Sequence, residues 1–288
     1  MKRNIRFILI FTAPAFVIYT LIIIYPTVAC GYFSLFNWDA ASRMDLVWLH
    51  NYLSLFRDPE YRQVIYNTAM LIVESLAIQL PFSALISFLL FRTVRGFKLF
   101  RAVYFIPVVI APIAIGTMFV IFYNTDGPLN TLLKVFGLGA LQQRWLSDPK
   151  VVLHSVIFPQ MWQYAGVLIM ILLAALQSVP GEILESALID GAGSLAIYFR
   201  ILIPMTWEAF SICIILTVTG SLRSFDHPWI MTMGGPGLSS AYLTVFMART
   251  AFMDYRYGYG SAIGISIIAI SLLFVVMFRK FASGRMQA

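Results

Sequence analysis

Two groups of polar side chains lie inside otherwise apolar stretches at helical spacing. Gln160, Gln163 and Tyr164 fall at i, i+3 and i+4, which puts two amides and a phenol on one helix face, beside Trp162. Thr217, Ser221 and Ser224 follow at i, i+4 and i+7, with Gly220 leaving room between them and Phe225 and Asp226 at one end. Amides and hydroxyls satisfy hydroxyl-rich solutes, and an aromatic face suits the C–H side of a sugar ring. The same Thr and Ser residues could equally join helices through interhelical hydrogen bonds, whereas two glutamines one turn apart favour a cavity. Trp162 is expected to face lipid or a neighbouring helix.

Other chemistry is absent. There is no G-x-x-x-x-G-K-[ST] phosphate loop and no H-E-x-x-H, and the histidines, His50, His154 and His227, are too widely separated in sequence to suggest metal ligands. No catalytic residue and no metal site is expected. Glu74 lies in an apolar run, where a carboxylate is costly unless protonated, paired or hydrated, and a structural or cavity-lining role is expected for it.

These residues must be positioned by membrane helices. Hydrophobic residues make up 60% of the 288 positions and charged residues 11%, a balance that suits a bilayer rather than water. A span needs about 20 apolar residues. Runs that meet this occur at Phe7–Phe36, Val64–Phe91, Leu99–Tyr123, Val151–Gln177, Ile201–Leu222 and Tyr259–Phe278. The expected fold is therefore all-α, a polytopic integral membrane protein with six transmembrane helices. It is read as one domain over residues 1–288. Pro81, Pro107, Pro112 and Pro159 should kink their helices. The first run is too long for a signal-peptide core, and Thr27-Val28-Ala29-Cys30 within it only faintly matches a lipoprotein cleavage site. Cys30 and Cys213 read as packing residues.

Charge sets the orientation, because basic residues are retained in the cytoplasm. Lys2, Arg3 and Arg6, then Arg92, Arg95, Lys98 and Arg101, then Arg279, Lys280 and Arg285 give ten basic residues in three segments that hold no acidic one. The opposite loops are nearly neutral. Both termini are accordingly expected in the cytoplasm, and the basic excess needs no nucleic-acid partner.

The fourth cytoplasmic segment, residues 178–204, differs in kind. Val179-Pro180-Gly181 stops a helix, and Glu182 to Asp190 reads as a short amphipathic helix with Leu184, Ala187 and Leu188 on one apolar face. Gly191 can turn the chain sharply, and Ser194 to Arg200 supplies a second short helix before Pro204. Glu185-Ser186-Ala187, then Gly191, then Ile201, Ile203 and Pro204 stand at the intervals of Glu-Ala-Ala, three residues, Gly, nine residues, Ile, one residue, Leu-Pro. In this the chain resembles the permease subunits of binding-protein-dependent ABC importers, with Ser186 and Ile203 as conservative departures. Asn51-Tyr52, Asp58-Pro59, Gly127-Pro128-Leu129-Asn130, Gly234-Gly235-Pro236 and Tyr257-Gly258-Tyr259-Gly260 are similar to the carbohydrate branch, and the Gly-Gly-Pro segment to its maltose-type first permease.

The resemblance implies a cytoplasmic helical knob, built from Leu184, Glu185, Ala187, Leu188, Asp190 and Gly191, that sits in a groove of a separate ATPase subunit. It also implies a second permease, two ATPase subunits, an extracytoplasmic solute-binding protein and a carbohydrate or polyol moving across a bacterial inner membrane. ATP and Mg would be held by the partner ATPases, with no cofactor on this chain. The solute would pass Gln160, Gln163, Tyr164, Thr217, Gly220, Ser221 and Ser224. Two other readings stay open on the residues alone: a proton- or ion-driven secondary transporter using Glu74, and a membrane scaffold that holds an ATPase without passing solute.

Overall fold

A computed structural model describes residues 5–41, 44–91 and 97–285. Lys2, Arg3, Arg92 and Arg95, on which the orientation partly rests, lie outside the described residues. The described chain is helical throughout, apart from loops and one antiparallel pair, Phe36–Asn37 with Asp45–Leu46. Four helices are long and apolar enough to cross a bilayer: Phe11–Phe33, Pro59–Phe91, Val152–Gln177 and Tyr257–Ala282. Two further stretches qualify only as bent pairs, Ala102–Val109 with Pro112–Phe122 at 102° and Ser194–Met205 with Trp207–Leu222 at 73°.

The unbroken helices expected at Leu99–Tyr123 and Ile201–Leu222 are thus each divided, for reasons written in the chain. Ala111 precedes Pro112 and is extended, with φ −57° and ψ 135°, because the proline ring disfavours the helical region for its predecessor. Two residues past Pro204, Thr206 leaves helical geometry at φ −105° and ψ 18°. Its hydroxyl donates to the Leu202 carbonyl at 2.6 Å, which satisfies an acceptor near the break.

Three stretches also widen into a π turn: Thr20–Ile24 and Ser75–Gln79, where the helix continues, and Tyr198–Leu202, which lies just ahead of the break at Thr206. Each turn ends two residues before a proline, Pro26, Pro81 and Pro204. A proline cannot donate to the carbonyl four residues back, and its ring collides with it. One extra residue in the preceding turn moves that carbonyl aside, and so the kink expected at Pro81 takes the form of a π turn.

The chain forms two compact units, Met1–Tyr61 with Phe246–Ile270, and Arg62–Val245 with Ser271–Ala288. In the first, sequence motifs far apart in the chain meet. Asn51 Nδ2 donates to the carbonyls of Ser34 at 2.8 Å and Phe36 at 2.9 Å. The Tyr259 hydroxyl donates to Asp58 Oδ2 at 2.6 Å, while the Arg256 guanidinium lies 4.2 Å from the Tyr259 ring centre. A Cβ on Gly258 would come within 1.9 Å of the Phe36 carbonyl oxygen, which explains a glycine there.

In the second unit, the Pro59–Phe91 helix is tied to the Val152–Gln177 helix by a ladder of side chain to backbone bonds. Gln79 Nε2 donates to the Met161 carbonyl at 3.0 Å, Ser83 Oγ to Ala165 at 3.4 Å and Ser87 Oγ to Ile169 at 3.0 Å. Leu80 and Ala84 pack with Leu168, Leu172 and Cys213 alongside it. On the next face, Gly166 allows the Phe97–Val109 helix to approach so closely that an added Cβ would lie 2.2 Å from the Tyr104 carbonyl oxygen.

That clash is with backbone, which cannot swing away. Gly166→Ala should therefore destabilise the fold by about 1–3 kcal/mol through overpacking. Gly139→Ala, which meets nothing within 4 Å, should not. Melting of the purified protein in detergent measures both, and equal melting temperatures would mean that the two helices do not pack this closely.

Candidate functional site

The second unit holds a cavity of about 450 Å³, within the ~300–1,000 Å³ range of small-molecule sites. Four helices and one connection build it. The Val152–Gln177 helix contributes Gln160 and Tyr164, and the Trp207–Leu222 helix contributes Thr217, Gly220 and Ser221. Arg223, Ser224, Asp226 and His227 follow from the connection and the short helix Asp226–Thr232, which packs against the Pro112–Phe122 helix. Ser75 and Gln79, the two ends of the π turn, complete the wall. Ser224 Oγ donates to Gln160 Oε1 at 2.8 Å, so the two polar stripes read in the sequence touch directly. A Cβ at Gly220 would meet nothing within 4 Å, which makes this position open space inside the cavity.

Six of the seven residues expected along a solute path thus line one cavity. Gln163 does not. It is fully buried and its Nε2 donates to the Ile110 carbonyl at 2.9 Å, covering the acceptor left bare where the Phe97–Val109 helix ends before Pro112. Trp162 is partly exposed and lines a separate apolar groove with Phe82, Tyr104 and Phe158.

Ser75, Gln79 and His227 went unrecognised in the sequence. Ser75 and Gln79 belong to a visible row, Ser75, Gln79, Ser83 and Ser87, spaced four apart in an apolar run. His227 is 1% exposed, its ring edge-to-face with Tyr164 at 6.3 Å, and burial pushes its pKa down to about 4. Glu74 points elsewhere: its Oε1 lies 2.6 Å from His154 Nδ1, a pairing that offsets the cost of a carboxylate in a span.

The Gly-Gly-Pro segment is fixed to the same unit. Met233 and Gly234 both have positive φ, at 50° and 84°, and the Gly235–Pro236 peptide is cis. Asn67 Nδ2 donates to the carbonyls of Leu238 at 2.8 Å and Ala241 at 2.9 Å. Thr244 Oγ1 donates to the Ser224 carbonyl, which anchors the cavity wall to the start of the Leu243–Phe252 helix that follows this loop.

At residues 178–204 the chain forms two short helices, Gly181–Ile189 and Ser194–Ile197. Gly191 has φ +76°, and the Ala192 N–H reaches the Ala187 carbonyl at 2.9 Å while the Gly191 N–H reaches Leu188 at 3.1 Å. This pair of bonds is a Schellman closure, and it needs the left-handed conformation that glycine adopts freely. The apolar face expected from Leu184, Ala187 and Leu188 is split by the packing. Ala187 is buried, and Leu184 half-buried, against Phe88, Leu176, Ile197, Tyr198 and Leu202. Leu188 turns outward at 60% exposure, together with Ile189 at 87%, Leu195 and Phe199. Glu185 and Asp190 are also exposed.

Residues 62–286 match the family described as binding-protein-dependent transport system inner membrane component. A probable ABC transporter permease protein of Bacillus subtilis, YurN, is 36% identical over 277 residues, covering 94% of each chain. The multiple sugar-binding transport system permease protein MsmF of Streptococcus mutans is 27% identical, over 89% of this chain and 90% of its own. In fold, the chain superimposes with a TM-score of 0.84 on a chain of a bacterial ABC transporter that imports the acidic polysaccharide alginate. That likeness covers 96% of this chain and 95% of the other at 18% identity.

The cavity yields two expectations. Gly220→Ala should be tolerated or slightly stabilising, by up to ~1 kcal/mol, because alanine favours a helix over glycine. Gly220→Phe should fill the cavity and stop solute passage at normal expression, and unimpaired passage would move the path elsewhere. The second concerns His227, whose folded pKa of about 4 lies below the ordinary 6.5. Between these values the unfolded chain binds a proton that the folded chain refuses, so stability falls as pH drops through that window. His227→Phe should remove this part of the pH dependence, and melting curves for both proteins from pH 7 to 4 measure the difference.

Proposed function

The chain belongs to the binding-protein-dependent transport system inner membrane component family, and from that premise we propose that it admits a carbohydrate or related polyol to the cytoplasm as one permease subunit of an ABC importer. The polar cavity carries this reading. Its wall offers amides, hydroxyls and the Tyr164 ring in one volume, the complement of a solute rich in hydroxyl and C–H faces. Relatives named for multiple sugars, sulfoquinovosyl glycerol and diacetylchitobiose support the same class.

In this reading each bent helix pair counts as one crossing, which gives six spans and puts the basic segments and both termini in the cytoplasm. The chain works with a second permease, two ATPase subunits that hold ATP and Mg, and an extracytoplasmic solute-binding protein. The two short helices of residues 178–204 lie in an ATPase groove, with Leu188, Ile189, Leu195 and Phe199 as outward apolar anchors and Glu185 and Asp190 as the charges beside them. Leu184 and Ala187 face inward and pass the movement on to the membrane helices. ATP closes the ATPase pair, the membrane helices move as rigid bodies, and the cavity faces outward, then inward, in alternation.

Purified alone, the chain should hydrolyse no ATP, and hydrolysis should appear once the ATPase subunits are added. Activity of the isolated, contaminant-free chain would defeat the assignment. The paired substitution Leu188→Asp and Ile189→Asp should abolish uptake and weaken capture of the ATPase subunits while leaving the chain inserted. Gly191→Leu should do the same for another reason: its Cβ has space, but φ +76° strains it by roughly 1 kcal/mol or more. Wild-type uptake by both variants would remove the coupling role.

A further inference from the structure

His227 lies outside the stripes that first suggested a solute path, yet the structure gives it a place on the cavity wall and leaves it chemically unfinished. It is 1% exposed, and its Nε2 has no hydrogen-bond partner among the described residues. Thr217, on the same wall, is equally unfinished: the residue is 8% exposed and its Oγ1 has none either. A buried polar atom without a partner is destabilising, so such atoms are few in folded proteins and mark places where a partner arrives in another state. The two amides on this wall, by contrast, are engaged. Gln160 accepts from Ser224, and Gln79 donates to Met161.

The neighbouring groups restrict what could complete the pair. His227 stands on the short helix Asp226–Thr232, and Thr217 on the Trp207–Leu222 helix, so two separate elements present them to one volume. The imidazole is held edge-to-face by the Tyr164 ring, which also lines the cavity. A neutral imidazole Nε2 either accepts or donates according to tautomer, and a threonine hydroxyl can do both. A carboxylate offers only acceptors and an ammonium only donors. A hydroxyl group answers either tautomer and also answers Thr217. The charged side chains on this cavity are Arg223 and Asp226, one of each sign and both exposed, so the cavity favours neither anion nor cation at the buried pair.

We propose that His227 is a specificity-determining residue for solute, reading a hydroxyl group of the carbohydrate through Nε2 while Thr217 Oγ1 engages the same or an adjacent hydroxyl. This rests on the cavity being the carbohydrate path. The unpartnered atoms also give the solute a differential effect, because its arrival supplies bonds that the resting protein lacks. Replacing the imidazole by an apolar ring of similar size removes the unpartnered atom and the recognition together. The folded chain then gains or keeps stability while solute handling worsens, the opposite of what loss of a packing residue produces.

The test uses the complete importer reconstituted in liposomes with its partner permease, ATPase subunits and binding protein. Labelled maltose, cellobiose, sucrose, melibiose, diacetylchitobiose and myo-inositol are offered, and the compound best transported by the wild type becomes the probe. His227→Phe should raise the KM for that probe about tenfold, the factor that ~1.4 kcal/mol represents, with a melting temperature equal to or above wild type. His227→Gln, which restores a donor and an acceptor, should recover much of the loss. A His227→Phe importer with wild-type KM and kcat overturns the proposal. So does equal impairment of the Phe and Gln variants with lowered melting temperatures, since that marks a packing role. The double variant Gln160→Ala with Ser221→Ala separates the two levels. If it loses uptake while His227→Phe does not, the cavity stands as the path and only the role of His227 falls. If neither variant changes uptake, or none of the six compounds is transported, the carbohydrate path falls and the proposal with it.

Discussion

Inside a bilayer no hydrophobic force draws one apolar helix to another, so helix pairs are held by close packing and by hydrogen bonds made without water. The contact that everything else here depends on is the one between the Pro59–Phe91 and Val152–Gln177 helices. Gln79, Ser83 and Ser87 each give a hydrogen to a carbonyl one turn further along the partner, at Met161, Ala165 and Ile169. Each such bond is worth about 0.6 kcal/mol on average in membrane proteins, so the register they impose matters more than their sum. That register brings Ser75 and Gln79 to the same cavity as Gln160 and Tyr164, and it leaves the neighbouring face of the second helix free to receive the Tyr104 carbonyl at Gly166.

Prolines decide where these helices may bend. Next to Pro112 the chain breaks outright, and the exposed Ile110 carbonyl must then be covered, which Gln163 does. Before Pro81 and Pro204 the helix widens instead, and both π turns fall at places where a change of side-chain direction has a use. One aims Ser75 and Gln79 into the cavity. The other joins the two short helices of residues 178–204 to the Trp207–Leu222 helix, with Tyr198 and Leu202 packed against Phe88 and Leu176. A π turn supplies a bend without leaving a donor or acceptor bare in the membrane, a condition that a simple break meets only with help from a neighbour.

Much of this was legible in the residues. The two polar stripes name helix faces by spacing alone, and the structure brings Gln160, Tyr164, Thr217, Gly220, Ser221 and Ser224 to one cavity. The turn at Gly191 was legible too, since only a left-handed residue closes that helix with the observed pair of bonds. What spacing could not reveal is which neighbour a side chain meets. Gln163 shares a helix face with Gln160, but a broken helix alongside it needed a donor. Leu184 and Leu188 share an apolar face, but one side of that face covers the protein's own core and the other stays outside. Ser75 and Gln79 look like a helix-joining row, and Gln79 does bond to the Met161 carbonyl while also lining the cavity. In each case the missing information was tertiary, a partner backbone group whose position no local pattern encodes.

Under the proposed coupling role, the arrangement also explains how a stroke at residues 178–204 would be felt at the cavity. Ala187 and Leu184 lie on Phe88 from the Pro59–Phe91 helix, on Leu176 from the Val152–Gln177 helix, and on Tyr198 and Leu202 ahead of the Trp207–Leu222 helix. Those three helices supply most of the cavity's wall, and the rest comes from the connection and the short helix Asp226–Thr232. Because close-packed interiors resist compression, a displacement of the two short helices would be passed to all three at one end rather than absorbed between them. The side-chain ladder restrains the first two helices relative to each other. The third is freed by the 73° bend at Thr206 and the π turn before it, so it has the latitude to move against the other two. A shift of that helix carries Thr217, Gly220 and Ser221 past Gln160 and Tyr164, and the Ser224 to Gln160 bond is the contact that such a motion must break or remake.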